Sequence, residues 1–468
     1  MTTPNLLLIV SDQLRYDCIG FAQRYPVHTP HIDRLAREGI WFNQAYTHIP
    51  LCCPARQSLL NGMRPESFGS HWNYDLSLPI PALSPDGYSW PRELHKMGYA
   101  TGYLGKWHVH PTFDPTHYGY QDYVSLHDYQ LFRRARYGKT EYNRGFFGEP
   151  DPVPLADART HWMADRAIDL ITRYEEDHDR PWHIRLDFDE PHLPCRPSMP
   201  FASQYNPELV PQWDSFDDSF ANKPYIQKQQ LLNWDVEHYT WEDWAPTAAL
   251  YYGLISQMDD AIGKLLMALD QFGIGDDTIV VFTADHGDMC GGHRMMDKHC
   301  VMYQDIVHIP FIMRGKGIPS GVRRDELVYN LLDLPPTLSE WFGFQPGAFH
   351  GRSLSSLCTE IKDEHVERSQ PAWRTELVST YNGQQFGLFI QRMITDGRYK
   401  LVWNPTDVDE LYDLQEDPAE LCNRIHDNAL KPLLTQLRSK LYDTLLAEGD
   451  RFVANPWMKR QLLQGSKH

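Results

Sequence analysis

Five consecutive apolar residues, Leu6 to Val10, stand near the start of the chain and run into Ser11-Asp12-Gln13. A short apolar run without alternation predicts a strand buried on both faces. Further strands are predicted at 40–45, 99–104, 182–189, 278–283 and 309–313. Residues 30–37, 90–97, 156–174 and 248–272 carry helical spacing or helix start and stop signals. The last of these places Leu254, Met258, Ile262, Leu265, Leu266 and Leu269 at helical intervals. Strands alternating with helices predict βαβ units, hence an α/β fold on a large, mainly parallel sheet flanked by helices.

The stretches 110–156 and 196–245 carry many aromatic residues without a clear period and are expected to be loops lining a pocket. A polar, charged stretch at 360–375 marks the predicted boundary between domains of residues 1–365 and 366–468. Beyond it, short strands are predicted at 386–391, 393–395 and 399–403, with Asp396-Gly397 as a hairpin turn, and a helix at 431–448. The second domain should therefore be a smaller antiparallel sheet plus a covering helix.

Charge narrows the partners. With 44 basic and 62 acidic residues the formal charge is −18, which argues against nucleic acid or an anionic membrane. An anionic substrate would need a local basic pocket set against that field. The eight cysteines show no C-x-x-C spacing and read as free thiols, not as a disulfide framework or zinc site. Without a basic leader, a cleavage site or a run of about 18 apolar residues, the expectation is a soluble, cytoplasmic protein.

Candidate chemistry gathers at predicted strand ends, which converge on one edge of a parallel sheet. Asp12 and Gln13 follow the first strand, Lys106 and His108 the strand at 99–104, His192 the strand at 182–189, and Asp285 and His286 the strand at 278–283. Lys298 follows in a loop. Cys52 lies where Pro54 suits the first turn of a helix and Gly62 its end, so its neighbours' free N–H groups and the dipole favour an anion there.

The string Cys52-x-Pro54-Ala55-Arg56, with Leu60 and Gly62 after it, resembles the signature of the type I sulfatases of the alkaline phosphatase superfamily. The order of motifs extends the resemblance over nearly the whole chain, including Leu411-Tyr412-Asp413-Leu414 and Asp417-Pro418. It implies an alkaline phosphatase-like fold and conversion of Cys52, not Cys53, to formylglycine, whose hydrate is the nucleophile. It also implies one divalent metal on Asp12, Gln13, Asp285, His286 and residue 52, Ca²⁺ ahead of Mn²⁺ or Mg²⁺. Arg56 and Lys298 would offset developing charge and Lys106 would hold a sulfate oxygen. His192 would protonate the leaving alcohol, His108 would take the last proton from the hydrate, and Asn73 would touch the substrate. His293 and His299 read as supporting or surface residues.

The expected partners are a small sulfated substrate, a saccharide or an aryl or alkyl ester, and an enzyme that matures Cys52. Two other functions remain open at this level. One is a phosphonate monoester or phosphodiester hydrolase of the same superfamily, against which Lys106 and His108 speak; the other is a noncatalytic glycan- or anion-binding protein.

Overall fold

In this computed structural model, residues 3–75, 79–177, 180–359, 372–383, 385 and 387–467 are described. Eight strands form the main sheet: β1 (Asn5–Asp12), β2 (Ile40–Tyr46), β3 (Ala100–Gly105), β4 (Asp122–Ser125), β5 (Trp182–Pro191), β6 (Thr278–Ala284), β7 (Phe311–Arg314) and β8 (Val322–Tyr329). Their order is β4-β3-β5-β1-β6-β7-β2-β8. Every pairing is parallel except those of β7, which runs against both β6 and β2. Leu6 to Val10 are fully buried between β5 and β6, as an uninterrupted apolar run requires.

Four further strands, β9 (Leu377–Gly383), β10 (Phe389–Thr395), β11 (Tyr399–Trp403) and β12 (Glu410–Asp413), form an antiparallel sheet in the order β12-β11-β10-β9. Alternation along β11 shows how it is clamped. Leu401 and Trp403 pack toward helix Lys431–Ala447, while Val402 joins the main core. Lys400 reaches the same way and donates to Met302 O at 2.6 Å. β9 is also tied down: Thr380 N donates to His48 O at 2.9 Å and Ser379 Oγ to Thr47 O at 2.6 Å.

The α/β architecture and small antiparallel sheet agree with the sequence reading; several element bounds differ. The stretch expected as loop at 110–156 contains β4 and helix Leu126–Tyr137. Ser125 and Asp128 form a reciprocal capping box there, which nucleates the helix despite its weak periodicity. Likewise Thr240 and Asp243 cap the long helix, which starts at Trp241 and not at 248. The stretch at 196–245 also holds helix Tyr225–Asn233. Two predicted strands, 386–391 and 393–395, are one strand, β10; Phe386 itself lies outside the described residues, as does the expected boundary at 365/366. No helix among the described residues is long and apolar enough to cross a membrane.

Candidate active site

Asp12 is the last residue of β1, and Gln13 turns the chain with a left-handed φ of 68°. That turn lets Gln13 N donate to Asp285 Oδ1 at 3.2 Å. Asp285 follows β6 directly, and because Ser11 pairs with Ala284 in register, Asp12 and Asp285 end side by side. His286 keeps Nδ1 2.9 Å from Gly287 O, which aims Nε2 at Cys52 Sγ, 3.1 Å away. Cys52 is the first residue of helix Cys52–Asn61, with Gly62 ending it at a φ of 72°; its Sγ is 3.8 Å from Asp12 Oδ1. The donor atoms of Asp12, Cys52, Asp285 and His286 all lie within 4.8 Å of one another and are buried.

The two neighbouring thiols differ sharply. Burial disfavours a Cys52 thiolate, but Lys298, His286 and Lys106 outweigh it and hold the thiol well below its ordinary pKa. Burial pushes Cys53 up; its Sγ faces away, accepting from Gln57 Nε2 at 2.9 Å. Burial and the charge of Asp12 push the Asp285 carboxyl up. Burial works against a charged His286, yet Asp285 and Cys52 raise its pKa to about 9.

Arg56 differs from expectation. It is fully buried, with Nε on Asp285 Oδ2 at 3.0 Å, one amino group on Asp187 Oδ2 at 2.6 Å and Lys106 O at 2.9 Å, and the other on Asp12 Oδ2 at 3.1 Å. Its donors are thus committed to three carboxylates and a carbonyl. Lys106 follows Gly105, whose φ of 95° and contact with Asp187 leave no room for a side chain. Its Nζ pairs with Asp12 Oδ2 at 2.6 Å and Asp189 Oδ1 at 2.9 Å, which leaves one of its three N–H groups uncommitted by these pairs.

Lys298 is 3% exposed. Its Nζ lies 2.9 Å from His192 Nε2 and 3.5 Å from Gln13 Oε1. Since His192 Nδ1 is 2.6 Å from Leu193 O, the network assigns the proton to Nδ1 and makes Nε2 an acceptor from Lys298. His192, expected to donate to the leaving oxygen, thus has Nε2 on the Lys298 ammonium. His108 approaches Cys52 and sits with Nε2 3.3 Å from Asp75 Oδ1. Asn73 reaches the site, but its Oδ1 accepts from Cys53 N at 3.0 Å and so caps the helix start.

Four acidic residues escaped the sequence reading: Asp75, Asp187, Asp189 and Asp297. Asp297 Oδ1 accepts from Gln13 Nε2 at 2.7 Å, and its Oδ2 lies 3.1 Å from His299 Nε2. Asp187 and Asp189 carry a readable signal, since carboxylates within a strand otherwise expected to be buried need cationic partners. His293 is buried away from the centre, 2.6 Å from Asp218 and stacked on Tyr303.

Comparison with known proteins follows the same lines. A family model described as Sulfatase matches residues 4–344. The chain belongs to the sulfatase family, enzymes that hydrolyse sulfuric esters. A second model, N-sulphoglucosamine sulphohydrolase, C-terminal, matches residues 291–446. An arylsulfatase of Clostridium perfringens is 28% identical, covering 94% of each chain. The multifunctional alkaline phosphatase superfamily protein PehA of Trinickia caryophylli is 26% identical over 96% of this chain and 97% of its own. Among solved structures, the phosphonate monoester hydrolase of Agrobacterium radiobacter superposes with a TM-score of 0.79 at 24% identity, covering 96% of this chain and 97% of that one.

Proposed function

We propose that this sulfatase hydrolyses sulfate monoesters with an aldehyde, formylglycine, made from Cys52 and one divalent cation held by Asp12, Gln13, Asp285 and His286. The placement of Cys52 carries the reading: its Sγ lies 3.1 Å from His286 Nε2 and 3.8 Å from Asp12 Oδ1, with Lys106 and Lys298 acting on it from close by. The donor set fits a cation, because two buried carboxylates crowd one another and Asp285 is pushed up by burial and by Asp12. Carboxylate-rich ligation with one imidazole suits Ca²⁺, with Mn²⁺ or Mg²⁺ as alternatives. When present, the cation would polarise the ester oxygens, and the hydrated aldehyde would supply the attacking hydroxyl.

The chain's own residues do the rest. Lys106 and Lys298 draw the ester's anionic oxygens toward residue 52. Lys298, backed by His192, delivers a proton to the departing alcohol oxygen. His108, oriented by Asp75, takes a proton from the hydroxyl left at residue 52. Arg56 holds Asp12, Asp187 and Asp285 in place. A maturation enzyme that oxidises Cys52 is a required partner, and a cytoplasmic location remains part of the reading.

Phosphonate monoester hydrolysis is the competing reaction, since a phosphonate hydrolase shares the fold. One preparation assayed on matched sulfate and phosphonate esters decides between them: phosphonate cleavage without sulfate release defeats this proposal. Mass spectrometry of the Cys52 peptide from the native source should show the deficit of a thiol-to-aldehyde exchange, with Cys53 unchanged.

A further inference from the structure

Beside His192 the protein encloses a small cavity of about 120 Å³ with polar walls. Arg133 reaches it from helix Leu126–Tyr137 and Arg159 from helix Arg159–Glu176, while Arg196 comes from the loop after β5. Asp151, Asp189 and Glu190 stand opposite. The cavity adjoins the reacting centre because Asp189 pairs with Lys106 and His192 with Lys298.

The charges do not close. Arg133 holds Asp151 at 2.9 Å, and Arg159 holds Asp189 at 2.7 Å and Glu190 at 2.7 Å. Arg196 pairs with no carboxylate among the described residues. Its guanidinium lies flat on Tyr142, 3.7 Å from the ring centre; one amino group reaches Gly145 O at 3.4 Å, and Nε is buried without an acceptor. Asp189 is already shared with Lys106. Three arginines thus line the cavity with three carboxyl groups, but the carboxylates are taken up by Arg133, Arg159 and Lys106, and Arg196 is left without one among the described residues. Glu190 is 2% exposed and its Oε2 has no partner.

The walls are built, not accidental. Glu149 N donates to Cys195 O at 3.2 Å and Asp151 N to Pro197 O at 2.9 Å, strapping the segment that carries Asp151 to the one that carries Arg196. Ser198 N is fixed to Gln257 Oε1 at 2.7 Å. A cavity with one arginine free of any carboxylate among the described residues, in a chain of charge −18, thus opens beside His192.

We infer that this cavity takes a second anionic substituent on the alcohol, a carboxylate or another sulfate, so that the preferred substrate carries at least two negative charges. The inference rests on the sulfatase reading above. A neutral polyol could satisfy the hydrogen bonds, but only an anion also answers the unpaired guanidinium. The volume is below the roughly 150 Å³ of an engineered cavity that holds benzene, so it admits a compact charged group and not a second sugar ring.

The test compares kcat/KM for singly sulfated methyl glucosides, the corresponding glucuronide sulfates and the corresponding disulfates, position by position, with 4-nitrophenyl sulfate as reference. At one position at least, the doubly charged ester should exceed the singly charged one by tenfold or more, and that ratio should fall about tenfold in Arg196→Gln and partly recover in Arg196→Lys. Each ratio is internal to one preparation, so incomplete folding or incomplete conversion of Cys52 cancels. A gain confined to glucuronides identifies a carboxylate, and one confined to disulfates identifies a sulfate. Hydrolysis of 4-nitrophenyl sulfate with no preference for the second charge, or with a preference unchanged in Arg196→Gln, overturns the cavity assignment alone. Inertness toward every sulfate ester overturns the function and this inference with it.

Discussion

Lys298 Nζ and His192 Nε2 lie 2.9 Å apart, and the imidazole accepts the hydrogen bond. In the proposed reaction Lys298 presents the proton to the departing oxygen, held in place for it by His192. Its removal should therefore matter in proportion to how poorly the alcohol leaves. His192→Ala is expected to lower kcat on an alkyl sulfate by about 10²–10⁴ and to affect 4-nitrophenyl sulfate far less. Parallel kinetics on the two esters check this; equal losses would place His192 in binding instead of proton transfer.

Arg56 touches Asp12, Asp187 and Asp285 with every group fully buried. Arg56→Ala leaves Asp12 to Lys106 and Asp187 to Arg185 but takes the guanidinium from Asp285, and breaking such a network costs about 3–5 kcal/mol. Arg56→Lys cannot span the same partners and should fall in the same range. Urea unfolding of both variants gives the comparison, with activity lost in step with stability.

The His108–Asp75 contact sets a pH dependence. Burial lowers the His108 pKa, but Asp75 and Cys52 outweigh it and the folded value lies above the ordinary one. The stabilisation from this pair is thus complete below the ordinary histidine pKa and disappears as pH rises through the higher folded value. If neutral His108 takes a proton during turnover, activity rises along that same limb. Asp75→Asn should shift the limb of the kcat profile to lower pH, and an unmoved limb would assign it to another group.

Asp12 and Asp285 repel one another wherever no cation lies between them. Chelation should lower the melting temperature of the wild type, since a ligand at 100 times its Kd contributes about 2.7 kcal/mol. Asp285→Asn should lose activity, and its melting temperature should respond little to chelator. Differential scanning calorimetry with and without chelator reads both effects.

Cys53→Ala isolates the role of the second thiol. Its loss removes a buried contact with Gln57 and should cost about 1 kcal/mol, leaving the aldehyde at residue 52 and the turnover rate intact. Peptide mass spectrometry and calorimetry on one sample answer both points.

Much of this site is legible in the chain because the chemistry follows apolar runs. Asp12 and Asp285 each stand one residue beyond the runs Leu6–Val10 and Thr278–Thr283, and Pro54 and Gly62 bracket the Cys52 helix as their backbone preferences dictate. The residues that escaped are set by tertiary neighbours. Asp297 matters because Gln13 and His299 close on it, and Asp75 because His108 reaches it; neither fact has a local signature. Helix Leu126–Tyr137 escaped for another reason: its apolar stripe is weak and its start is written in a Ser-x-x-Asp cap. Helix Asn330–Phe342 contains Pro335 and Pro336, which read as breakers, and β9 takes shape from its pairing with β10.

The clamp between the C-terminal sheet and the loop carrying Lys298 bears on when the enzyme becomes competent. His299, next to Lys298, lies with Nδ1 3.1 Å from Tyr381 OH of β9, and Met302 O accepts from Lys400 of β11. A ribosome makes Cys52, Asp12 and Asp285 long before it makes those two anchors. The side chains of Asp12, Cys52 and Asp285 can thus come together on the nascent chain, while Lys298 waits for β9 and β11 to be synthesised and docked.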